Sequence, residues 1–359
     1  MIFRRNKKPR PSGVVFCSVF PGGITLTQNP KFSVIIPTYN RANYVAEAIE
    51  SVLKQTYQGF ELIVVNDGST DDTAEVIRRF GDRIRYMEKA NGGKASAVNL
   101  GLKYVTGEYV WILDDDDIGL PNKLELHAAQ FAEDPDLKFV YTGYEFIEGE
   151  RSDVPVRSFE ARMPPIGDMV MYLFGRFELC SPTVVAHRLC YDRVGCFDER
   201  LIRGQDYDMW IRMIRAGFKI GIIVQPTLLC RMHEGDRGSA SDRFSASDIA
   251  RKNREYLGLI VQKLYWELPL QAFYSRLAQD PDDPILIMKT LLRRLWMLPL
   301  PALQDEVLRD LDMLERHVEQ HRLSFDDSAH RFLMGLKDTT EQTAPRVAKK
   351  VGKIMNLTH

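Results

Sequence analysis

The sequence lacks the features that mark membrane-spanning, disulfide-rich and nucleic-acid-binding proteins. No apolar run approaches the ~20 residues that a transmembrane helix needs. The five cysteines are an odd number, lie far apart and form no Cys-x-x-Cys, which argues against a disulfide framework and a zinc site. The 48 basic residues are balanced by 49 acidic ones, so no excess positive charge favours nucleic acid. These absences predict a cytoplasmic protein that does not bind nucleic acid.

A glycine-rich phosphate loop is also missing. The first predicted strand, Phe32–Ile36, is followed by Pro37–Arg41, so neither a Rossmann dinucleotide site nor a P-loop is predicted. The same absence argues against a nucleotidyltransferase, which is expected to carry a glycine-rich, basic loop at this point. A phosphatase of the haloacid dehalogenase type would need a nucleophilic aspartate two residues before Asp67, where this chain has Val65.

Short apolar runs alternate with helical patterns from Lys31 onward. Buried strands are predicted at Phe32–Ile36, Glu61–Val65 and Tyr109–Leu113, each followed by a helix. Ser69 and Asp72 lie three residues apart and predict a capping box before the second helix. Further strands are predicted near residues 139–144, 183–187, 220–224 and 228–232. The order of the elements predicts an α/β fold with a mostly parallel central sheet flanked by helices.

The pattern divides the chain into three parts. Residues 1–30 are rich in basic side chains and are predicted to be a flexible arm, with a peripheral contact to anionic lipid at the inner face of the membrane as the alternative. Residues 31–245 are predicted to form one α/β domain, with halves at 31–136 and 137–245. Residues 246–359 are predicted to be a mainly helical extension that packs on this domain, forms a homodimer contact or lies on a membrane surface.

Four consecutive carboxylates, Asp114–Asp117, follow the third buried strand. Ligands of open α/β sheets bind at the carboxyl ends of the strands, so these side chains lie where a ligand is expected. Carboxylates packed together repel one another unless a cation neutralises them. Hard oxygen ligands suit Mg²⁺ or Mn²⁺. The run therefore predicts a divalent metal that bridges a diphosphate.

Seven segments of the chain resemble family 2 of the glycosyltransferases, which are inverting, GT-A-fold enzymes that use nucleotide-activated sugars. They span about residues 31–240 in the order of the family: Phe32–Arg41, Leu62–Thr73, Gly92–Gly101, Thr106–Asp117, Gly195–Arg200, Gln205–Arg212 and Arg231–Gly235. The resemblance implies that residues 31–136 form a Rossmann-like nucleotide-sugar-binding half and residues 137–245 an acceptor half. It implies transfer of a sugar from a nucleoside-diphosphate sugar to a hydroxyl of a glycan, a lipid-linked intermediate or a protein, in glycan or polysaccharide biosynthesis.

The resemblance also implies roles for single residues. The implied nucleotide-binding residues are Pro37, Thr38, Tyr39, Asn40, Asp67, Lys94, Asn99, Asp114 and Asp115. Asp67 would accept a hydrogen bond from the base, which favours UDP or dTDP because uracil and thymine offer an N–H. Asp116 and His233 would bind the metal, Mn²⁺ or Mg²⁺, and the division of work among Asp114–Asp117 stays open.

Asp206, at the start of a predicted helix, corresponds to the general base of the family, which usually has Glu where this chain has Gln205. The candidates for acceptor or loop contacts are Ser181, Gln205, Arg237 and Ser239. The alternative function is a non-catalytic nucleotide- or sugar-binding protein on the same fold. Loss of Asp116 or Asp206 would mark such a protein, and both are present.

Overall fold

The structure is a computed structural model with two compact units. It describes residues 31–149, 154–163, 179–232, 237–239, 242–244, 279–298 and 303–357, with scattered positions among residues 173–277. The first unit comprises residues 1–163, 179–197 and 212–233, and the second unit comprises residues 164–178, 198–211 and 234–359.

The first unit is built on a mixed sheet of nine strands, counted over the residues described. The strands are β1 (Phe32–Thr38), β2 (Phe60–Asn66), β3 (Arg85–Glu88), β4 (Tyr109–Ile112), β5 (Ile118–Gly119), β6 (Leu137–Glu148), β7 (Pro155–Phe159), β8 (Val184–His187) and β9 (Lys219–Met232). Their order is β3-β2-β1-β4-β8-β6-β9-β5, with β7 paired to β6. The strands β1 to β4 are parallel, and the pairs of β8 with β4 and β6 are antiparallel. The long strands β6 and β9 also form a parallel pair. The predicted α/β fold is confirmed.

Among the residues described, five α-helices of the first unit accompany this sheet. They are α1 (Val45–Leu53), α2 (Thr73–Arg78), α3 (Lys94–Leu102), α4 (Lys123–Glu133) and α5 (Arg188–Val194). On α1 the apolar positions recur at helical spacing, so Val45, Ile49 and Val52 all point into one core and are fully buried. Truncation of a side chain such as Ile49 to alanine would cost about 2–5 kcal/mol, because the close-packed core leaves a cavity.

The described part of the second unit is mainly helical, and the predicted helical C-terminal region is confirmed. Helix α6 (Gln205–Arg215) begins in this unit and ends in the first, and α7 (Pro284–Met297), α8 (Gln304–His321), α9 (Asp327–Thr340) and α10 (Pro345–Asn356) follow. The carboxylate of Asp283 caps α7 by accepting hydrogen bonds from two backbone N–H groups. Arg294 on α7 and Asp310 on α8 form a buried ion pair, with Nε 2.7 Å from Oδ2. Among the helices described, none is long and apolar enough to span a bilayer.

Three local features differ from the sequence predictions. The edge strand β3 was not predicted, because Arg85–Glu88 carries no buried apolar run. The capping box of Ser69 and Asp72 is absent: the Ser69 hydroxyl accepts a hydrogen bond from the backbone N–H of Asn40 at 2.9 Å, and α2 begins only at Thr73. The segments predicted near 220–224 and 228–232 are joined in the single strand β9.

Candidate functional site

The carboxyl ends of β2, β1 and β4 bring three polar segments together, because these strands are neighbours in the sheet. The backbone N–H of Tyr39, just after β1, donates to Asp115 at 3.4 Å, and Asn40 contacts Ser69 after β2. The three segments 37–41, 66–69 and 114–117 therefore share one edge of the sheet, as the sequence predicted.

Three of the four consecutive aspartates converge. One carboxylate oxygen from each of Asp114, Asp116 and Asp117 lies within 4.8 Å of the others. Asp117 is buried and accepts a hydrogen bond from the backbone N–H of Arg231 at 2.9 Å. The Nζ of Lys94 lies 2.5 Å from Asp114. Three carboxylates at this spacing are the hard oxygen donors that Mg²⁺ and Mn²⁺ prefer.

The carboxylate of Asp115 does not join these three and contacts residues 37–41. Its Oδ1 lies 3.8 Å from Nε of Arg41, and its Oδ2 accepts the N–H of Tyr39. The geometry therefore groups Asp117, rather than Asp115, with Asp114 and Asp116. Sequence reasoning did not separate the four, since consecutive residues in a turn point in different directions.

Burial and like charge raise the pKa of two of these acids. Burial, followed by the charge of Asp116, raises the pKa of Asp115 to about 7, and the nearby guanidinium of Arg41 opposes this shift. Burial, then the charges of Asp116 and Asp114, also raise the pKa of Asp117 well above its usual range. A cation bound among these carboxylates would offset the repulsion, so the residues present fit a divalent metal.

A buried arginine supports the acidic turn. The side chain of Arg231 on β9 is fully buried, with its guanidinium bonded to the carbonyl oxygens of Asp116 at 3.2 Å and Gly149 at 2.6 Å and to the Glu47 carboxylate at 2.5 Å. The sequence places Arg231 in a segment that resembles the family, but the residue predicted to bind the metal there is His233, and no role is predicted for Arg231. His233 lies outside the described residues.

Asp67 lies at the end of β2 and is 2% exposed. Its Oδ1 accepts from the ammonium of Lys89 at 2.7 Å and the backbone N–H of Gly92 at 3.0 Å. Its Oδ2 accepts from the N–H of Gly93 at 2.7 Å and the side-chain amide of Asn91 at 3.2 Å. The donors all come from the loop before α3.

Other residues predicted to bind the nucleotide have structural contacts. Pro37 and Thr38 end β1, and Thr38 is buried. Asn40 has a φ of 52°, a left-handed conformation that asparagine tolerates, and its side-chain oxygen accepts the N–H of Thr70 at 2.7 Å. The amide of Asn99 both donates to the carbonyl of Phe197 at 3.0 Å and accepts its N–H at 2.8 Å. Asn99 therefore ties α3 to residue 197, and its nucleotide role stays a prediction.

The residues predicted for catalysis and acceptor contacts lie in several elements. Ser181 is buried in a short 3₁₀ helix, residues 181–183. Gln205 and Asp206 open α6 in the second unit, where Asp206 is half-buried. Arg237–Ser239 forms β10, which pairs with β11 (Asp242–Phe244). The roles of these residues stay predictions.

Comparison with known proteins identifies the family. The family model described as "Glycosyl transferase family 2" matches residues 33–188. An uncharacterized glycosyltransferase of Methanocaldococcus jannaschii is 30% identical over 213 residues, which cover 58% of this chain and 72% of the relative. The chain belongs to family 2 of the glycosyltransferases, which confirms the resemblance seen in the sequence.

Two further similarities bear on length and fold. An uncharacterized glycosyltransferase of Rickettsia typhi is 38% identical over 193 residues, which cover 53% of this chain. The chain spans 60% of that relative and 32% of a Rickettsia felis glycosyltransferase, so it matches less than two thirds of either. The structure of S. aureus TarS residues 1–349 in complex with UDP-GlcNAc superposes with a TM-score of 0.55 at 18% identity, covering 91% of this chain and 90% of TarS. This likeness supports the GT-A fold.

Proposed function

We propose that the protein transfers a sugar, with inversion, from a nucleoside-diphosphate sugar to a hydroxyl acceptor. The observation that carries the proposal is the convergence of Asp114, Asp116 and Asp117 at the end of β4. The ammonium of Lys94 next to this cluster supplies a cation of the kind that binds phosphate oxygens. Family membership supports the same reaction class.

A divalent metal is proposed at the three carboxylates. When bound, Mn²⁺ or Mg²⁺ would stabilise the negative charge that develops on the diphosphate leaving group. The raised pKa values of Asp115 and Asp117 support a cation site, because burial and then the neighbouring negative charges both disfavour the ionised carboxylates. Lys94 is proposed to contact the diphosphate. Asp115 is proposed to hold residues 39–41 in place, next to the nucleoside.

Asp206 is proposed as the general base. As the acceptor oxygen forms its bond to the anomeric carbon, the carboxylate takes the hydroxyl proton, and the bond between that carbon and the diphosphate oxygen breaks. Asp206 lies in the first turn of α6 and is half-buried. The acceptor is proposed to be a hydroxyl of a glycan, a lipid-linked intermediate or a protein.

The first test is a thermal-shift titration with UDP, dTDP, GDP and CDP, each with Mn²⁺, Mg²⁺ or EDTA. A ligand that binds only the folded state raises the melting temperature. We expect one diphosphate to stabilise the wild type in a metal-dependent way, and Asp116→Ala to lose this effect. Asp192→Ala, which removes an exposed carboxylate on α5, is the control and should behave as the wild type.

Absence of any shift with all four nucleotides would contradict the proposed donor site. Metal-dependent binding without transfer to any glycan, lipid or protein hydroxyl would favour the alternative, a nucleotide- or sugar-binding protein on the same fold.

A further inference from the structure

Arg231 connects the acidic turn, residues 114–117, to the neighbouring strands of the sheet. We propose that Arg231 is a positioning residue for the cation site. Its backbone and its side chain together hold Asp117 and Asp116 in the arrangement that a divalent metal needs. The inference rests on the proposed function insofar as a metal binds at these carboxylates.

The backbone of Arg231 is fixed by strand pairing on both sides. Arg231 lies opposite Ile147 in the parallel pair of β9 with β6. The earlier residues Leu228 and Leu229 of β9 pair with β5, which directly follows the acidic turn. The backbone N–H of Arg231 donates to Oδ1 of Asp117 at 2.9 Å. The Asp117 carboxylate is therefore held by a donor whose position the sheet determines.

The side chain of Arg231 donates to three different partners. Nε donates to the carbonyl of Asp116 at 3.2 Å, Nη1 to the carbonyl of Gly149 at 2.6 Å and Nη2 to the carboxylate of Glu47 at 2.5 Å. These partners lie in the acidic turn, just after β6 and on α1. A planar guanidinium presents its donors in a fixed fork, whereas the ammonium of lysine is a compact point charge. The three bonds therefore fix the Asp116 carbonyl relative to two neighbouring elements.

Burial separates this role from direct contact with a ligand. The side chain of Arg231 has an exposed fraction of 0%, and its guanidinium carbon lies 5.4 Å from the centre of the Tyr44 ring. A phosphate cannot reach this guanidinium unless its partners move. The positive charge of Arg231 does not favour a cation either, since like charges repel. The guanidinium can therefore help a metal only through the positions of Asp116 and Asp117.

The direction of the effect on metal affinity tests the inference. In Arg231→Met, with whichever of UDP, dTDP, GDP and CDP binds the wild type, Mn²⁺ binding should weaken by about tenfold, because a partner that orients the metal ligands is lost. On charge alone the same substitution would strengthen Mn²⁺ binding, because it removes a positive charge near the carboxylates. Electron paramagnetic resonance of free Mn²⁺ measures the affinity. Unchanged or stronger binding would overturn the inference.

Arg231→Lys separates the geometry of the guanidinium from its charge. This variant keeps a cation next to Glu47, so it serves as the test if Arg231→Met does not fold. We expect its Mn²⁺ affinity to fall by about tenfold as well, since one ammonium does not reproduce the three bonds of the fork. Recovery of the wild-type affinity would show that the charge of residue 231 is sufficient, which would also overturn the inference.

Arg294→Met is a matched control in the second unit. Arg294 is also a buried arginine, and its Nε donates to Oδ2 of the buried Asp310 at 2.7 Å, between α7 and α8. Loss of one partner of a buried ion pair destabilises the fold, so this variant should lower the melting temperature. Its Mn²⁺ affinity should equal that of the wild type. The control therefore separates general destabilisation from a displaced acidic turn.

Hydrogen exchange tests the positioning role without any ligand. In Arg231→Met, the amides of residues 117–119 should exchange about tenfold faster than in the wild type, whereas Arg294→Met should leave them unchanged. Exchange of these amides at the wild-type rate in Arg231→Met would overturn the inference. If the wild type binds neither nucleotide nor Mn²⁺, the proposed function fails, and the exchange experiment still decides whether Arg231 holds the acidic turn.

Discussion

The two aspartate sites on either side of β1 differ in what surrounds their charges. At the end of β2, the Asp67 carboxylate is enclosed by hydrogen-bond donors of its own chain. At the end of β4, Asp114, Asp116 and Asp117 have one another as close neighbours. The same residue type at the same edge of one sheet therefore gives two kinds of site.

The difference teaches how to separate a structural carboxylate from a ligand site. A buried carboxylate that accepts several hydrogen bonds from the fold has its oxygens satisfied without an external cation. Carboxylates that raise each other's pKa store electrostatic repulsion, which a bound cation relieves. On this argument a bound cation is expected at the acidic turn and not at Asp67.

The largest expected effect is on the rate of sugar transfer, and it comes from Asp206, which belongs to neither aspartate site. Asp206→Asn should lower the rate of sugar transfer by about 10²–10⁴-fold, because an amide cannot accept the proton of the acceptor hydroxyl. Metal-dependent nucleotide binding should persist, since the proposed binding groups are elsewhere in the chain. Both quantities can be measured on one preparation, by transfer of a labelled sugar and by calorimetric titration. Loss of nucleotide binding, or unchanged transfer, would contradict the assignment of Asp206.

The second prediction sharpens the comparison within the acidic turn. Asparagine at 114, 116 or 117 should each weaken Mn²⁺ binding, in the presence of the bound nucleotide, by about 10-fold or more, because one charged oxygen ligand is lost. Asp115→Asn is the matched control and should leave Mn²⁺ affinity nearly unchanged, since this carboxylate faces Tyr39 and Arg41. Electron paramagnetic resonance of free Mn²⁺ measures the affinity. An equal loss in Asp115→Asn would show that the four acids act together.

The sequence predicted β1, β2 and β4 because these strands are continuous apolar runs. Strand β2 is an example, with its last five residues buried. It did not predict β3, whose residues are half-buried or exposed and carry no period. The helix α1 was placed correctly because Val45, Ile49 and Val52 repeat at helical spacing and are all buried.

The sequence predicts which strand ends form the site, but not which of their side chains lie close together. A buried strand followed by four acids located the acidic turn. Which of the acids converge depends on backbone directions within the turn, and only the structure separates Asp115 from Asp117. The partners of Asp67 were not foreseen, because Lys89 and Gly93 lie more than twenty residues further along the chain.

The third prediction concerns the stability of the metal-free protein. Asp115 has a folded-state pKa of about 7, above its ordinary value of 3.8, so the folded state holds the proton more tightly. Its contribution to stability is present at low pH and is lost as the pH rises through about 7. In EDTA, the melting temperature of the wild type relative to Asp115→Asn should therefore fall between about pH 4 and pH 7, and Mn²⁺ should reduce this fall. A difference that does not vary with pH would contradict the raised pKa.

The smallest expected effect concerns a buried charge of the opposite sign. Lys123 on α4 is fully buried, and its Nζ lies 3.2 Å from the hydroxyl of Thr227 and 3.5 Å from that of Thr142. Burial lowers its pKa to about 7, while the neighbouring thiols of Cys180 and Cys230 oppose the shift. A depressed folded-state pKa contributes stability at high pH that is lost as the pH falls from about 10 to about 7.

Lys123→Met should therefore be as stable as the wild type at pH 7, or more stable by about 1 kcal/mol, because a buried charge is replaced by an apolar side chain of similar volume. The hydroxyls of Thr142 and Thr227 keep a hydrogen bond to each other at 2.7 Å, so the substitution strands neither of them. The advantage of the variant should shrink toward pH 9.5, where the wild-type lysine is neutral in the folded state. Urea unfolding at both pH values measures the difference. A variant several kcal/mol less stable at pH 7 would contradict the lowered pKa of Lys123.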